Sequence, residues 1–229
     1  MIIVDNWYDD PYVVRDLALS KFKNGDNIPG DKKRDNGFEI YPGRRTQACL
    51  KNLIENKDKM ERSLGRSIDT TKWAFTLTVD KEVSFDLLEF DLTNMEMKIK
   101  GTDIYLNPFL PMSNGCFQYC DENSKMWIHS DEMNSFAGVV YLTPDPPEGT
   151  GTGFFKHKET GKFYKTDKEQ LFTPEQASNF DEWEMLEYCE NVFNRCVIFN
   201  AKHFHSATKY FGTTPENSRL TQVFFFDLL

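Results

Sequence analysis

The spacing of hydrophobic and polar residues predicts a helical layer near the start of the chain. IIVDNWY has the pattern of a short strand, and Asp9 or Asp10 followed by Pro11 then predicts a helix over YVVRDLALSKF. Thr46 is predicted to cap a second helix, QACLKNLIENKDKMERSLG, which ends at Gly65. The first third of the chain is therefore expected to form one strand and two helices.

From Lys72 onward the pattern changes to the alternation of strands. The predicted strands are WAFTLTV, SFDLLEFDLT and MEMKIK, and then, after the turn PMSNG, CFQYC, MWIHSD, FAGVVYLT, GTGFFKH, NRCVIFN and RLTQVFFFDL. Their spacing suits a β-sandwich or barrel. The segment from Asp167 to Asn194, with WEMLEY inside it, is predicted to be an insertion with a helical turn. We expect one domain over residues 1–229, in which a strand and helical layer (1–72) precedes a β core (73–229) with the insertion around 160–192.

Composition and charge narrow the classes of function. The chain has 229 residues, 39% of them hydrophobic and 20 of them Phe, so a large core can form. A net charge of −9 and a pI near 5.0 argue against a broad nucleic-acid surface. Lysines and arginines accumulate locally between Lys21 and Arg45. We interpret this segment as a solvated loop face and not as an anion-binding patch.

The cysteines and the N-terminus predict a cytoplasmic location. The five cysteines have no C-x-x-C spacing, so we expect free thiols in a reducing compartment. The opening MIIVDNWYDDPY lacks the basic region of a signal peptide, and no apolar run reaches the length of a membrane span. The expected location is the cytoplasm, or the host cytoplasm if the gene is carried by a phage.

Candidate chemistry begins in the stretch MWIHSDEMN. In an extended segment Trp127, His129 and Asp131 would share one face. An isolated H-x-D pair is most often a solvated turn, so a metal site requires a third ligand from elsewhere. Of the four histidines, His203 and His205 follow the apolar strand CVIF. They are two residues apart and would point to the same side of an extended segment, so either could be the third ligand. Two histidines and one carboxylate leave open positions on Fe(II), whereas zinc more often takes three histidines or cysteines.

An arginine in the last predicted strand supplies a possible counter-charge. Arg219, Thr221, Val223 and Phe225 would share one face, opposite Leu220, Phe224 and Phe226. A buried guanidinium needs a partner, either an acidic residue of the same sheet or the carboxylate of a ligand. The glycine-rich stretch GTGTGFF lacks the Lys-Ser/Thr ending of a phosphate loop, so we interpret it as a tight turn into a strand.

The ordered set HSD, FHS and RLT, with YLTPDPPEGTGTGFF between the first two, resembles the Fe(II)/2-oxoglutarate-dependent oxygenase superfamily. The likeness is greatest to an uncharacterised bacterial and phage-type, prolyl-hydroxylase-like branch, and it covers Asn114 to Leu229 and the opening strand. It implies a mainly β fold with N-terminal helices and a double-stranded β-helix (jelly roll) core. It also implies Fe(II) held by His129, Asp131 and His205, with Arg219 and Thr221 binding the distal carboxylate of 2-oxoglutarate. FHS favours His205 over His203, and the long gap between His205 and Arg219 implies a longer loop, YFGTTPENS.

By this resemblance the protein would be a dioxygenase that hydroxylates a substrate and releases succinate and CO₂. The substrate would be an amino-acid side chain of a peptide, such as a prolyl residue, or a small molecule. Tyr119 and Trp127 are candidates for the pocket wall or for a hydrogen bond to 2-oxoglutarate, and the alternative is that both are aromatic residues of the core. His157 is expected to bind no metal. The alternatives are a non-catalytic jelly-roll protein that binds a ligand and a cupin-type metalloenzyme without 2-oxoglutarate. The sequence leaves the oligomeric state undetermined.

Overall fold

The computed structural model describes residues 1–30, 37–49, 53–70, 88–91, 96–101, 105–106, 114–131, 134–166 and 172–229. The N-terminal part consists of β1 (Ile2–Val4), α1 (Pro11–Lys23), β2 (Ile28–Pro29), β3 (Arg44–Ala48) and α2 (Leu53–Leu64). Strand β1 and helix α1 confirm the sequence prediction. Asp10 is the cap of α1, because its carboxylate accepts a hydrogen bond from the Val13 amide at 3.2 Å.

The rest of the described chain is mainly β. The strands are β4 (Leu88–Asp91), β5 (Glu96–Ile99), β6 (Tyr105–Leu106), β7 (Cys116–Cys120), β8 (Phe136–Tyr141), β9 (Thr152–His157), β10 (Trp183–Cys189), β11 (Cys196–Asn200), β12 (His205–Ala207) and β13 (Arg219–Phe226). A short helix α3 (Pro174–Ser178) and a 3₁₀ turn (Phe180–Glu182) precede β10.

All strand pairings among the described residues are antiparallel. The largest sheet has seven strands in the order β1-β11-β8-β13-β7-β3-β2, and a second sheet has the order β10-β9-β12. A third, small sheet contains β4, β5 and β6. The central strand β13 pairs with β7 on one side and β8 on the other, so its side chains occupy the middle of the large sheet.

The two faces of the large sheet have different coverings, and the alternation predicted for β13 is confirmed. Leu220, Phe224 and Phe226 belong to an apolar cluster that includes residues of α1 and α2. Phe225 lies on the other face, which meets Phe154 of the second sheet. We call the first side the helix-covered face and the second the inner face, because the second is enclosed between the two sheets.

The prediction for the second helix is partly wrong. Thr46 lies in β3, where its hydroxyl accepts a hydrogen bond from the Phe117 amide at 3.0 Å, and it caps no helix. The observed helix α2 begins at Leu53 and ends before Gly65, as predicted for the C-terminal end. Gly65 has φ of +66°, the left-handed conformation that commonly ends a helix. The pairing of β3 with β7 therefore overrides the helical pattern of residues 47 and 48.

Two further predictions need correction. MWIHSD forms no regular strand, because among these residues only His129 makes an isolated bridge. WEMLEY belongs to β10 and pairs with β9, although the helical turn predicted in the same segment is present as α3. GTGTGFF is confirmed as a turn into β9: Gly149 has φ of +76°, and a Cβ on Gly151 would lie 2.0 Å from the Cys189 carbonyl oxygen.

Several predictions fall outside the described residues. They concern the strand WAFTLTV, parts of SFDLLEFDLT and of the turn PMSNG, the boundary at 72/73, and residues 167–171 of the insertion. Within the described ranges, no helix combines the length and the apolar composition needed to cross a membrane.

Candidate metal centre

Two histidines from distant parts of the chain are paired through their backbones. His129 and His205 form an isolated antiparallel bridge, with amide-to-carbonyl distances of 3.0 and 2.8 Å. His205 begins β12 and stands opposite Phe154 of β9. The bridge places the two imidazoles side by side, with 4.6 Å between ring centroids. A strand pairing therefore brings together residues that are 76 positions apart (205 − 129).

Both imidazoles are oriented in the same way by a backbone carbonyl. His129 Nδ1 lies 3.1 Å from the Trp127 carbonyl oxygen, and His205 Nδ1 lies 2.8 Å from that of His203. A carbonyl oxygen only accepts, so in each neutral ring the hydrogen is on Nδ1. The lone pair is then on Nε2, which is the arrangement found in histidine metal ligands.

Asp131 completes a cluster of three candidate ligands. One ligand atom from each of His129, Asp131 and His205 lies within 4.8 Å of the others, and Asp131 Oδ2 is 3.4 Å from His205 Nε2. The Asp131 amide donates to the Ala201 carbonyl at 2.8 Å, and Lys202 Nζ donates to the Asp131 carbonyl at 3.1 Å. With the hydrogen of His205 on Nδ1, the lone pair of His205 Nε2 faces a lone pair of Asp131 Oδ2 across 3.4 Å. A cation between them, or a proton on Nε2, satisfies both.

The cluster lies in an apolar and aromatic environment. His205 is buried, and its ring centroid is 4.7 Å from that of Phe199 and 6.3 Å from that of Phe154. Burial lowers the pKa of His129 to about 4, and the neighbouring His205 and Arg45 act in the same direction, while Asp131 opposes them. His129 is therefore neutral near pH 7, which is the form that binds metals.

Arg219 lies on the inner face with polar but uncharged neighbours. The side chain is 7% exposed. Its Nε donates to the Thr150 carbonyl at 3.4 Å, one terminal nitrogen donates to Thr152 Oγ1 at 3.2 Å, and its Cζ is 5.3 Å from the Tyr141 ring centroid. Among the described residues no Asp or Glu forms an ion pair with it. The sequence allowed an acidic residue of the same sheet as the partner of Arg219, and no such ion pair is present in the described part of the chain.

Side chains of four strands form a row across the inner face, beside Arg219. Arg45 of β3 stands opposite Gln118 of β7, Gln118 opposite Thr221 of β13, and Thr221 opposite Tyr141 of β8. The Thr221 hydroxyl donates to the Gln118 carbonyl at 3.4 Å. The predicted pair Arg219 and Thr221 therefore lies together on one face.

The other residues considered from the sequence have different positions. Tyr119 lies on the helix-covered face, in edge contact with Phe22 of α1 at 4.9 Å between centroids, so it is not brought together with Arg219. Trp127 is 8% exposed, with its ring centroid 5.9 Å from that of His129. His157 packs against Trp183 on the outer side of β9, and His203 lies outside the three-residue cluster.

Sequence reasoning missed three residues that the fold brings to the inner face. Tyr141 and Thr152 surround Arg219, with 2.7 Å between their hydroxyl oxygens. Arg45 was assigned to a solvated basic face, yet it is half-buried and its Nε donates to Gln118 Oε1 at 3.0 Å. A polar side chain at an inward strand position was the available signal for Tyr141 and Thr152. Arg45 had none, because it was assigned to a basic loop before the Thr46 cap and no strand was predicted there.

Comparison with known proteins gives one match to a family model and a set of matches to solved structures. Residues 123–226 match the model of a family of unknown function, DUF6445, and this segment contains His129, Asp131, His205 and Arg219. No curated protein is significantly similar in sequence. Among 18 matching solved chains is a Trichoplax adhaerens prolyl hydroxylase in complex with a peptide fragment of the hypoxia inducible factor oxygen degradation domain. It is 8% identical, with 98% of this chain and 81% of that chain covered and a TM-score of 0.48.

Proposed function

We propose that the protein is an Fe(II)- and 2-oxoglutarate-dependent dioxygenase whose two sheets form a jelly roll. The observation that carries the proposal is the cluster of His129, Asp131 and His205, in which both imidazoles keep the Nε2 lone pair available. Two neutral nitrogens and one carboxylate on one side of a metal leave positions for a chelating keto acid and O₂, the ligand set of non-haem iron oxygenases.

Arg219 would bind the distal carboxylate of 2-oxoglutarate, with Thr221 and Tyr141 beside it. A buried guanidinium surrounded only by neutral described groups favours an anionic ligand, because an unpaired buried charge is unfavourable. The spacing also fits. Thr152, which Arg219 contacts, and Phe154, which stands opposite His205, are two residues apart on one face of β9, roughly 7 Å. A five-carbon dicarboxylate has a comparable length.

The bound iron and 2-oxoglutarate would supply oxidative decarboxylation to succinate and CO₂ and the oxidising power to hydroxylate a substrate. The residues of this chain would orient the reactants and exclude water. Phe154, Phe199 and Trp127, whose rings lie near the two imidazoles, would limit access of water to the cluster. The Trp127 and His203 carbonyls would keep the two imidazoles oriented towards the metal. The substrate would be an amino-acid side chain or a small molecule.

The first test is Fe(II) binding under anaerobic conditions. We expect one Fe(II) per chain in the parent and no stoichiometric binding by His129→Ala, Asp131→Ala or His205→Ala, because each removes a ligand. His203→Ala is the matched control, since only its backbone carbonyl contacts His205. Full-affinity binding by the three ligand variants, or its loss only in His203→Ala, would contradict the proposed centre.

The second test is a titration of the Fe(II) protein with 2-oxoglutarate, followed by the weak visible band of the chelate and by succinate release in air. Arg219→Met should weaken 2-oxoglutarate binding at least about tenfold while Fe(II) binding persists, since a hydrogen bond to a charged group contributes about 1.5–3 kcal/mol. Arg219→Lys should recover part of the loss, because the charge remains but the paired hydrogen bonds do not. If the parent binds neither iron nor 2-oxoglutarate, the alternative of a non-catalytic jelly-roll protein is favoured.

A further inference from the structure

The long loop between β12 and β13 contains a buried tyrosine that packs against the inner face. Tyr210, the first residue of YFGTTPENS, is 9% exposed. It belongs to an apolar cluster with Cys120, Ala207 and Met126. Its hydroxyl is hydrogen-bonded to the Cys120 sulfur. Cys120 stands opposite Arg219 where β7 pairs with β13, so the two side chains share the inner face.

Tyr210 lies beyond the end of the proposed co-substrate site that is farther from the metal cluster. Ala207 follows His205 by two residues on β12 and stands opposite Thr152, which Arg219 contacts at 3.2 Å. Tyr210 packs in the same cluster as Ala207 and comes three residues later in the chain. The order along the inner face is therefore His205, then the small Ala207 side chain beside the guanidinium, and then the Tyr210 ring.

Two tyrosines flank Arg219, one from each side of β13. Tyr141 belongs to β8, and Tyr210 is bonded to Cys120 of β7. Burial is the main cause that raises the pKa of both tyrosines, and in each the charge of Arg219 opposes the effect of burial. Both hydroxyls are therefore protonated near neutral pH, and neither competes with a ligand carboxylate for the guanidinium.

The loop itself is anchored to two other elements. The Glu122 amide, just after β7, donates to the Gly212 carbonyl at 3.0 Å, and Arg15 of α1 donates to the Glu216 carbonyl at 2.6 Å. Asn217 Oδ1 accepts hydrogen bonds from two amides within the loop, at 2.8 and 2.9 Å. The tyrosine ring at the start of the loop is therefore part of a fixed wall.

We infer that Tyr210 sets the length of the dicarboxylate that the inner face accepts, so that a five-carbon acid fits and a six-carbon acid does not. The inference rests on the proposed function, in which the metal binds one end of the acid and Arg219 binds the other. With the first end fixed, an added methylene group pushes the distal carboxylate past Arg219 and into the Tyr210 ring. One methylene group in a fitted pocket changes affinity about 10–200-fold.

The experiment compares 2-oxoglutarate with 2-oxoadipate, which is longer by one methylene group, in anaerobic titrations of the Fe(II) protein followed by the visible band of the chelate. The parent should bind 2-oxoglutarate at least about tenfold more tightly. Tyr210→Ala should bind the two acids about equally, because removal of the ring makes room for the longer one. Tyr210→Phe should keep the parent's preference, since the ring remains.

Phe211→Ala is the matched control, because it removes a ring from the same loop outside the cluster that contains Tyr210. It should also keep the preference. General loosening of the loop would weaken both acids alike and leave the ratio of their affinities unchanged, so the ratio separates a role in specificity from a structural one. If Tyr210→Ala does not fold, as judged by its melting curve, Tyr210→Leu replaces it and should lose part of the preference.

Three outcomes would overturn the inference alone while iron and 2-oxoglutarate still bind. They are equal binding of the two acids by the parent, an unchanged ratio in Tyr210→Ala, and a loss of preference in Phe211→Ala as large as in Tyr210→Ala. A parent that binds neither Fe(II) nor either oxo acid would overturn the proposed function, and the inference with it. The parent titration therefore tests the function, and the ratio in the variants tests Tyr210.

Discussion

The buried polar groups on the two faces of the central strand β13 differ in how fully they are hydrogen-bonded within the protein. On the helix-covered face, Gln222 is fully buried, and its carbonyl oxygen is 2.5 Å from the Tyr8 hydroxyl while its amide donates to the Gly115 carbonyl at 2.9 Å. On the inner face, Arg219 makes two long hydrogen bonds, of 3.4 and 3.2 Å, and no ion pair with a described residue. One face satisfies its polar groups internally, whereas the other presents a charge.

The difference indicates which face contributes stability and which face, under the proposed function, would bind ligands. A buried polar group whose partners are all in the protein strengthens the fold, while a buried charge without a carboxylate is a net cost until a ligand arrives. Packing on the helix-covered face includes Phe224 and Phe226, both fully buried. Replacements on the two faces should therefore separate stability from binding.

The largest effect is expected from Phe224→Ala on the helix-covered face. Removing a fully buried phenyl ring should lower the free energy of unfolding by about 3–5 kcal/mol, because it removes buried apolar area and leaves a cavity. Chemical denaturation measures this change, and the folded fraction should bind Fe(II) like the parent. Arg219→Met on the inner face should be neutral or stabilising in the same assay. A loss in Arg219→Met as large as that in Phe224→Ala would make Arg219 a structural residue.

A smaller and sharper comparison removes one hydroxyl from each face. Tyr8→Phe should lower the free energy of unfolding by about 1–3 kcal/mol, since Gln222 Oε1 loses its short bond to the hydroxyl. Thr221→Val removes only a 3.4 Å hydrogen bond to the Gln118 carbonyl, so its stability should change by less than about 1 kcal/mol. Thr221→Val should instead weaken 2-oxoglutarate binding. Denaturation and co-substrate titration on both variants give the comparison, and the reverse pattern would refute the assignment of the faces.

The last comparison is the pH dependence of stability that His129 contributes beside the inner face. The pKa of His129 is lowered to about 4 in the folded protein, against about 6.5 in an unfolded chain. Between these values the unfolded state binds more protons, so the stability of the metal-free protein should fall as pH decreases from about 6.5 to about 4. Melting temperatures across this range should show a shallower slope for His129→Gln. Identical slopes would show that His129 is not held neutral by the fold.

Local pattern in the sequence was sufficient for much of the architecture and for the identity of the candidate ligands. Alternation in RLTQVFFFDL placed Arg219 and Thr221 on one face, because successive residues of a strand point to opposite sides. The Asp10–Pro11 start and the Gly65 end of the helices were also predictable, since capping depends on neighbouring residues. The residue types of H-x-D and a distal histidine suggested metal chemistry for the same local reason.

Long-range pairing decided what local pattern could not. The segment 44–48 becomes β3 because β7 offers a partner edge, and this places Arg45 on the inner face. His129 meets His205 through one isolated bridge in place of a predicted strand. Tyr119 faces α1, whereas Tyr141 is near Arg219, because Tyr119 stands opposite Leu220 and Tyr141 stands opposite Thr221, on opposite faces of the sheet. The sequence by itself determined which side chains are chemically suited to a metal or carboxylate site. Tertiary structure decided which of them lie close together, because the pairings that bring them together join residues far apart in the chain.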